Sequence, residues 1–463
     1  MNFNLKTYYI MKQIYLFILA AFLACQSTNA QAQDGNTDYY EEPKFLNLTQ
    51  EEQACANACN DFTFRLFRAS KEEENIVLSP LSVTYALSML NNGASGETRE
   101  EIKRALGFGD KDAADINAFC LKMMTDCATL DNRVKLLISN TVFMNKGYML
   151  KPSFVETVKH FYDATPETRD FHDGLTMDAI NQWASDHTEG MIPKVLDKNS
   201  FDPDAVSYLM NAIYFCGTWQ DPFDKSWTVT EPFGKNGELI PLMHKYFSFT
   251  TYKETDDFQM LSLPYGLGTY SLLVFLPKEG RTIDNVLDAL AANWPKAASY
   301  TEYNINYVVD VKLPAFETST RLRLNDIMTS LGVERAFNPM LAEFPDFCNT
   351  PTYISAMLQD AKIEVNEEGT KAAAVTTITG CTGVQKERHA QFYANRPFLY
   401  AIVENNTKTI FFIGQYMGNT PADVTNPKLA TSAPTTTYDL QGRRLTTEPQ
   451  SGVFIRDGKK IMK

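Results

Sequence analysis

The sequence predicts an α+β fold, with helices concentrated early in the chain and strands later. Apolar residues recur at helical spacing before residue 190, as in the stripe of Val83, Leu87 and Leu90. Later segments are short runs of β-branched and aromatic residues, which favour strands. Because the two patterns are largely segregated, an alternating βαβ architecture is not expected. The clearest strand patterns cover residues 206–215, 270–276, 307–313 and 409–413.

The helices are predicted in order from their faces and caps. A first helix is expected over 54–69, with Phe62, Leu66 and Phe67 on one side. Ser79 and Pro80 have the pattern of an N-cap and a first helical position, so a second helix should follow them. Further helices are predicted over 99–106, between a Thr98/Glu101 capping box and Gly107, and before Gly190, where Ile180, Trp183, Ala184 and His187 share one helical face.

The N-terminus has the features of an export signal. An apolar run from Ile14 to Ala24 follows Lys12 and is too short for the ~20 residues of a membrane span. Small residues then offer a cleavage site at Ala32, and Met11 is a plausible true start. Lipidation at Cys25 is the alternative. The expected organisation is a signal peptide at 1–32, a linker at 33–50, the main domain at 51–419, a Pro/Thr-rich linker at 420–437 and a short tail at 438–463.

Composition and motifs argue against several functions. The net charge of -13 disfavours nucleic-acid binding. The chain contains none of the patterns G-x-S-x-G, H-E-x-x-H, G-x-x-x-x-G-K-[ST] or C-x-x-C. We therefore predict no enzymatic activity, metal site, cofactor or transmembrane segment, and we expect the cysteines to be mostly buried free thiols.

One segment suggests a strand that can enter a sheet. Between residues 364 and 377, the side chains of Thr370, Ala372, Ala374 and Thr376 would share one face of a strand, and all are small. No proline lies between Pro351 and Pro397, so every backbone N–H in this stretch could join a ladder. Gly369 offers the freedom of a hinge.

Several segments, in a consistent order along the chain, resemble the serpin family of protease inhibitors. They are NIVLSPLS at 75–82, NNGASGETREEIKRALGF at 91–108, NAIYFCGTW at 211–219, NRPF at 395–398 and FIG at 412–414. The resemblance implies the serpin fold, with three β-sheets, about eight or nine helices and an exposed reactive centre loop.

The resemblance also assigns site residues within the main sheet. It implies a shutter at the centre of the sheet, a breach at its top and a hinge that begins the loop. Gln359 stands where the family often has a histidine, and its amide can still donate and accept hydrogen bonds. The shutter and breach residues are Ser79, Ser82, Asn211, Trp219 and Gln359, and the hinge residues are Glu367, Glu368, Gly369, Thr370, Ala372, Ala373, Ala374 and Thr376.

The implied function is suicide inhibition of a serine protease, or of a cysteine protease, by a secreted bacterial serpin. Counting forward from the hinge places the reactive bond at Gly383-Val384, and small residues there suit an elastase-like or subtilisin-like partner. Counting backward from Asn395 places it at Lys386-Glu387, which suits a trypsin-like partner. The alternative function is a non-inhibitory binding or chaperone module. A monomer is expected, located outside the cell, on its surface or in the periplasm.

The last residues suggest a C-terminal secretion signal. The tail YDLQGRRLTTEPQSGVFIRDGKKIMK resembles the end of the C-terminal sorting domains of the type IX secretion system of Bacteroidetes, although it is shorter than a full domain. A small appended hairpin is the other interpretation.

Overall fold

Nine α-helices are present within the described part of a computed structural model, most of them before the middle of the chain. The described residues are 42–248, 250–298, 307–370 and 388–418, together with the backbone of four short strands near the C-terminus. The helices are α1 (Gln50–Ser70), α2 (Pro80–Asn91), α3 (Gly96–Leu106), α4 (Ala113–Cys127), α5 (Pro152–Tyr162), α6 (Thr176–His187), α7 (Ile283–Ala292), α8 (Trp294–Ala297) and α9 (Asn325–Ser330).

The main sheet contains two of the residues predicted to form the shutter, Asn211 and Gln359. Its strand order is β11-β12-β4-β2-β3, and the two-residue strand β13 pairs with β4. β4 runs antiparallel to β2 but parallel to β12. The strands are β2 (Val134–Asn145), β3 (Glu167–Arg169), β4 (Ser207–Thr218), β11 (Phe316–Arg323), β12 (Ala356–Val365) and β13 (Gly369–Thr370).

Two further sheets complete the body. One has the order β1-β16-β15-β9-β8-β7, and its strands β9, β15 and β16 are buried along their whole length. The other has the order β14-β10-β6-β5. The strands are β1 (Ile76–Leu78), β5 (Val229–Phe233), β6 (Glu238–Ser248), β7 (Thr251–Glu254), β8 (Phe258–Pro264), β9 (Tyr270–Pro277), β10 (Tyr307–Pro314), β14 (Arg388–Tyr393), β15 (Phe398–Glu404) and β16 (Ile410–Tyr416).

Apolar side chains cover both faces of the main sheet. On one face, Ile213 and Phe215 belong to the large core shared with α1, α2 and the second sheet. On the other, Met210 and Ala212 belong to a smaller cluster with Ile180 of α6. Because successive strand residues point to opposite faces, odd-numbered positions of β4 face the large core and even-numbered ones face α6.

The predicted strand patterns and fold class are confirmed, and two helix starts differ from prediction. α1 begins at Gln50 rather than 54, since Thr49 and Glu52 form a capping box. α3 begins at Gly96, because the carboxylate of Glu343 accepts the backbone N–H of Glu97 at 3.0 Å. The predicted Thr98/Glu101 box does not form: the Glu101 carboxylate instead accepts backbone N–H groups from the Glu334–Arg335 segment.

The described part of the segment predicted as a linker packs on the body. Leu46 is buried, and its N–H donates to Glu404 Oε1 at 3.3 Å. Thr269 Oγ1 donates to the carbonyl of Lys44 at 2.7 Å. Ordered packing therefore begins before residue 51.

The C-terminal tail contains a small sheet of order β18-β17-β19-β20. Its strands are β17 (Thr437–Tyr438), β18 (Arg444–Leu445), β19 (Val453–Arg456) and β20 (Lys459–Met462). In the described residues, no helix combines the length and apolar character needed to cross a membrane. Buried free thiols are present at Cys55, Cys59, Cys120, Cys127 and Cys348.

Candidate functional site: the centre and top of the main sheet

Three buried amide side chains cross the centre of the main sheet in one row. Asn140 of β2 is the register partner of Asn211 of β4, and Asn211 is the partner of Gln359 of β12. All three are at most 2% exposed. Only two of them were predicted, because the position of Asn140 follows from a register between strands that are far apart in sequence.

Residues at the start of α2 form hydrogen bonds with this row. Ser82 Oγ donates to Asn211 Oδ1 at 2.5 Å, and Asn211 Nδ2 donates to Asn140 Oδ1 at 2.8 Å. Gln359 Nε2 donates to the carbonyl of Ser79 at 2.7 Å and lies 3.1 Å from Ser82 Oγ. The structure therefore brings Ser79, Ser82, Asn211 and Gln359 together, and hydrogen bonds between β4, β12 and α2 hold the two central strands against each other.

Some buried atoms of this network have no hydrogen-bond partner among the described residues. They are Gln359 Oε1, Ser79 Oγ and Asn140 Nδ2. A buried polar atom without a partner costs about 1–3 kcal/mol. The shutter is therefore incompletely satisfied in this conformation: Asn140 Nδ2 could donate a further hydrogen bond, Gln359 Oε1 could accept one and Ser79 Oγ could do either.

The neighbour of β4 changes just above the shutter. β12 pairs with β4 from Ala356–Tyr208 to Asp360–Ala212. At the top of β4, the described partners are instead Gly369 and Thr370, which pair antiparallel with Thr218 and Gly217. Two residues of the predicted hinge, Gly369 and Thr370, thus already lie beside β4.

A tight turn returns the chain from β12 into β13. Asn366 and Gly369 exchange backbone hydrogen bonds of 2.9 and 3.2 Å. Gly369 has a φ of 141°, and a Cβ there would lie 2.3 Å from the carbonyl oxygen of Gly217. Only glycine fits this position.

Trp219, which was predicted to form the breach, donates two hydrogen bonds to that turn. Trp219 Nε1 donates to the carbonyl of Asn366 at 2.8 Å, and its backbone N–H donates to Glu368 O at 2.9 Å. Its ring stacks on Tyr265 with centroids 4.5 Å apart. The Tyr265 hydroxyl lies 2.8 Å from Thr370 Oγ1, and Thr370 is fully buried. Tyr265 had no predicted role, because only the tertiary fold places this residue, which follows β8, beside the hinge.

The two hinge glutamates lie on the outer side of the turn. Glu367 accepts a hydrogen bond from Thr228 Oγ1 at 2.6 Å. Glu368 pairs with Lys225 at 2.7 Å, with the two side chains 46% and 67% exposed, respectively. Exposed pairs of this kind contribute little to stability, so the buried Thr370 is the stronger anchor.

Asp360, which was not predicted, is a buried charge at the last β12–β4 rung. Its Oδ1 accepts from Arg321 Nε at 2.7 Å, while Oδ2 has no partner in the described part of the chain. Burial raises the pKa of this carboxyl to about 6, and Arg321 opposes that rise. Ionisation of Asp360 therefore costs more free energy in the folded protein than in the unfolded chain.

The remaining predicted site residues lie outside the described residues. They are the hinge residues Ala372, Ala373, Ala374 and Thr376 and the candidate bonds Gly383-Val384 and Lys386-Glu387.

Replacing Asn211 with alanine is expected to lower the free energy of unfolding by about 3 kcal/mol or more. The change removes three hydrogen bonds, one from Ser82 Oγ, one to the Ser82 carbonyl and one to Asn140 Oδ1, each contributing about 1 kcal/mol. It also leaves the buried Asn140 Oδ1 without its donor, at about 1–3 kcal/mol. Thermal unfolding measures the loss. Asn57→Ala, at an exposed position of α1, is the matched control, and equal unfolding temperatures for the two variants would contradict the structural role given to the shutter.

Comparison with known proteins places this geometry in a family. The family model described as "Serpin (serine protease inhibitor)" matches residues 57–419. An uncharacterized serpin-like protein of Thermococcus kodakarensis is 32% identical over 375 residues, covering 79% of this chain and 86% of the relative.

Two solved structures show the same arrangement of sheets. The thermophilic serpin tengpin in its native state is 28% identical, with a TM-score of 0.72 and coverage of 84% of this chain and all of the other. Thyroxine-binding globulin in complex with thyroxine is 26% identical, with a TM-score of 0.69 and coverage of 79% and 99%.

Proposed function

The chain belongs to the serpin family, and from this premise we propose that it traps a serine protease by inserting its cleaved reactive loop into the main sheet. The observation that carries the proposal is the antiparallel pairing of Gly369 and Thr370 with β4. These residues have the direction that an inserted strand needs, and they lie at the upper end of the β4–β12 boundary.

The proposed reaction begins as ordinary proteolysis. The protease's serine hydroxyl attacks the carbonyl carbon of the reactive bond, an acyl ester forms, and the new amino terminus leaves. The freed segment then extends β13 downward between β4 and β12. The protease remains attached through the ester, so insertion competes with hydrolysis of that ester.

Insertion requires the shutter hydrogen bonds between β12 and β4 to exchange for bonds to the new strand. A full central strand adds a dozen or more ladder hydrogen bonds, worth ~0.5–1.5 kcal/mol each. The total is on the order of 10 kcal/mol, comparable with the ~5–15 kcal/mol that stabilises a domain. That is enough to distort the catalytic site of the attached protease.

Incubation with serine and cysteine proteases tests the proposal. We expect an SDS-resistant complex with at least one elastase-like or subtilisin-like serine protease, and mass spectrometry of the released C-terminal fragment identifies the bond. A fragment beginning at Val384 supports the elastase-like or subtilisin-like class, whereas one beginning at Glu387 supports a trypsin-like class. A panel that yields cleaved chain and never a complex would contradict inhibition.

A second candidate function is ligand binding without inhibition. It is favoured by the likeness to thyroxine-binding globulin, whose structure contains thyroxine. The same panel separates the two functions, because a non-inhibitory member gives only cleaved or uncleaved chain.

We further propose that the protein is a bacterial monomer and that it is exported from the cytoplasm. The apolar N-terminal run supports removal of residues 1–32, with lipidation at Cys25 as the alternative, and the tail supports type IX sorting. The mass of the mature chain distinguishes cleavage after Ala32 from a lipid on Cys25, and it shows whether the tail is retained.

A further inference from the structure

Two exposed aromatic rings stand on the outer face of the third sheet. Trp227 is 49% exposed and Tyr246 is 53% exposed. Among the described residues, the exposed large hydrophobic side chains otherwise include only one aromatic, Phe45. Trp and Tyr are, with Arg, the residues most enriched among those that contribute most of the binding energy at protein interfaces.

Contacts beneath these rings hold them in place. Trp227 ends a short 3₁₀ turn, Lys225–Trp227, and its ring centroid lies 5.8 Å from that of His244. His244 lies 5.3 Å from Tyr246 by the same measure. His244 Nε2 is 2.7 Å from Asp310 Oδ1, and the Tyr393 hydroxyl donates to Asp310 Oδ2 at 2.5 Å. Three strands, β6, β10 and β14, are therefore tied together under the aromatic surface.

Charged groups flank this surface. Lys312 pairs with Glu231 at 2.5 Å and lies over the ring of Tyr393, with its Nζ 5.1 Å from the centroid. A fixed aromatic centre with a paired polar rim is the usual anatomy of a protein interface. Preorganised side chains also lose little conformational entropy on binding.

The reactive loop ends at this same sheet. β14 begins at Arg388 and runs parallel to β10, with Gln391 opposite Asp310 and Asp310 opposite Tyr246. Gly383 precedes Arg388 by five residues, which span at most about 18 Å. The body of a bound protease must therefore lie close to the sheet, whichever of the two candidate bonds it cuts.

We propose that the surface formed by Trp227, His244, Tyr246 and Tyr393 is a second contact site for the target protease, separate from the loop that it cleaves. This inference rests on the proposed inhibitory function and deepens it. The loop would supply the residues read by the protease's active site, and the aromatic surface would select among proteases that accept the same loop.

The test compares the parent with a Trp227→Ala/Tyr246→Ala variant, using the protease that gives a complex in the panel. The second-order rate constant of inhibition is expected to fall about tenfold or more, while the stoichiometry and thermal unfolding stay unchanged. Leu175→Ala/Met340→Ala, which also removes two exposed apolar side chains, should keep the parent rate.

Complex formation at the parent rate by the aromatic variant would overturn the second site and leave the inhibitory function intact. If the parent forms no complex with any protease, the inhibitory function itself fails, and the second site fails with it. Should the double variant unfold at lower temperature, Tyr246→Ser alone replaces it, with an expected loss of about threefold and the same overturning result.

Discussion

Replacing Thr370 with arginine is expected to convert the protein from an inhibitor into a substrate. Thr370 is fully buried, and its hydroxyl contacts Tyr265. An arginine there would bury a charge without a designed partner, which costs about 3–5 kcal/mol. The hinge would then leave the top of β4. The ester that joins the cleaved loop to the protease would be hydrolysed before the loop inserted. The yield of SDS-resistant complex per cleaved chain should fall at least ~10-fold.

Two milder variants separate the contributions at this position. Thr370→Val keeps the volume but leaves the Tyr265 hydroxyl without its partner, so a partial loss is expected. Thr370→Ser keeps the hydroxyl and should retain most of the yield. Should Thr370→Arg trap a protease as efficiently as the parent, the insertion mechanism would be wrong.

Replacing Asp360 with asparagine is expected to stabilise the native state at neutral pH by about 1–3 kcal/mol. The folded carboxyl has a pKa of about 6, whereas the ordinary value is 3.8. Between pH ~4 and ~6 the folded state therefore holds a proton that the unfolded state has lost, and its stability falls as the pH rises through this range. The full difference corresponds to about 3 kcal/mol, and the attraction to Arg321 is already included in the pKa of about 6.

Thermal unfolding at pH 4.5 and 7.5 measures this effect. The gain from Asp360→Asn should be small at the lower pH and largest at the higher one. Asp288→Asn removes an exposed partner of Arg68 and should change stability by less than ~1 kcal/mol at both. A parent and variant that respond identically to pH would exclude Asp360 as the titrating group.

Asp360→Asn should also make inhibition less efficient. A more stable closed sheet opens more slowly, so a larger share of acylated protease would be released by hydrolysis. The expected result is a higher stoichiometry of inhibition at neutral pH.

Much of the fold followed from local pattern. The strand runs around 206–215 and 270–276 became β4 and β9 with shifts of a few residues at most, because a run of β-branched and aromatic residues is a local signal. The start of α3 was misplaced because its cap is Glu343, a residue distant in sequence. No local pattern could indicate that carboxylate.

The site shows the same division. Asn211 and Gln359 were found through family resemblance, and the structure places them in one network. Asn140, Tyr265 and Asp360 were missed, since their importance comes from strand register and burial. The sequence likewise did not predict that Thr370 pairs with β4. It indicates which residues suit a strand, but not which of them are paired in the uncleaved protein.

The pairing of Gly369 with Thr218 and of Thr370 with Gly217 also sets the register of the strand that the cleaved loop would form on insertion. Continued one residue at a time, it sets Ala372 opposite Phe215, Ala374 opposite Ile213 and Thr376 opposite Asn211. The small side chains would then face the large core, and the Thr376 hydroxyl would arrive between Asn211 and Gln359, where Gln359 Oε1 has no described partner. Ser207, the first residue of β4, would meet Gly380. A bond at Gly383-Val384 would come to rest about 10 Å beyond that end of the strand, at ~3.3 Å per residue, and one at Lys386-Glu387 about twice as far.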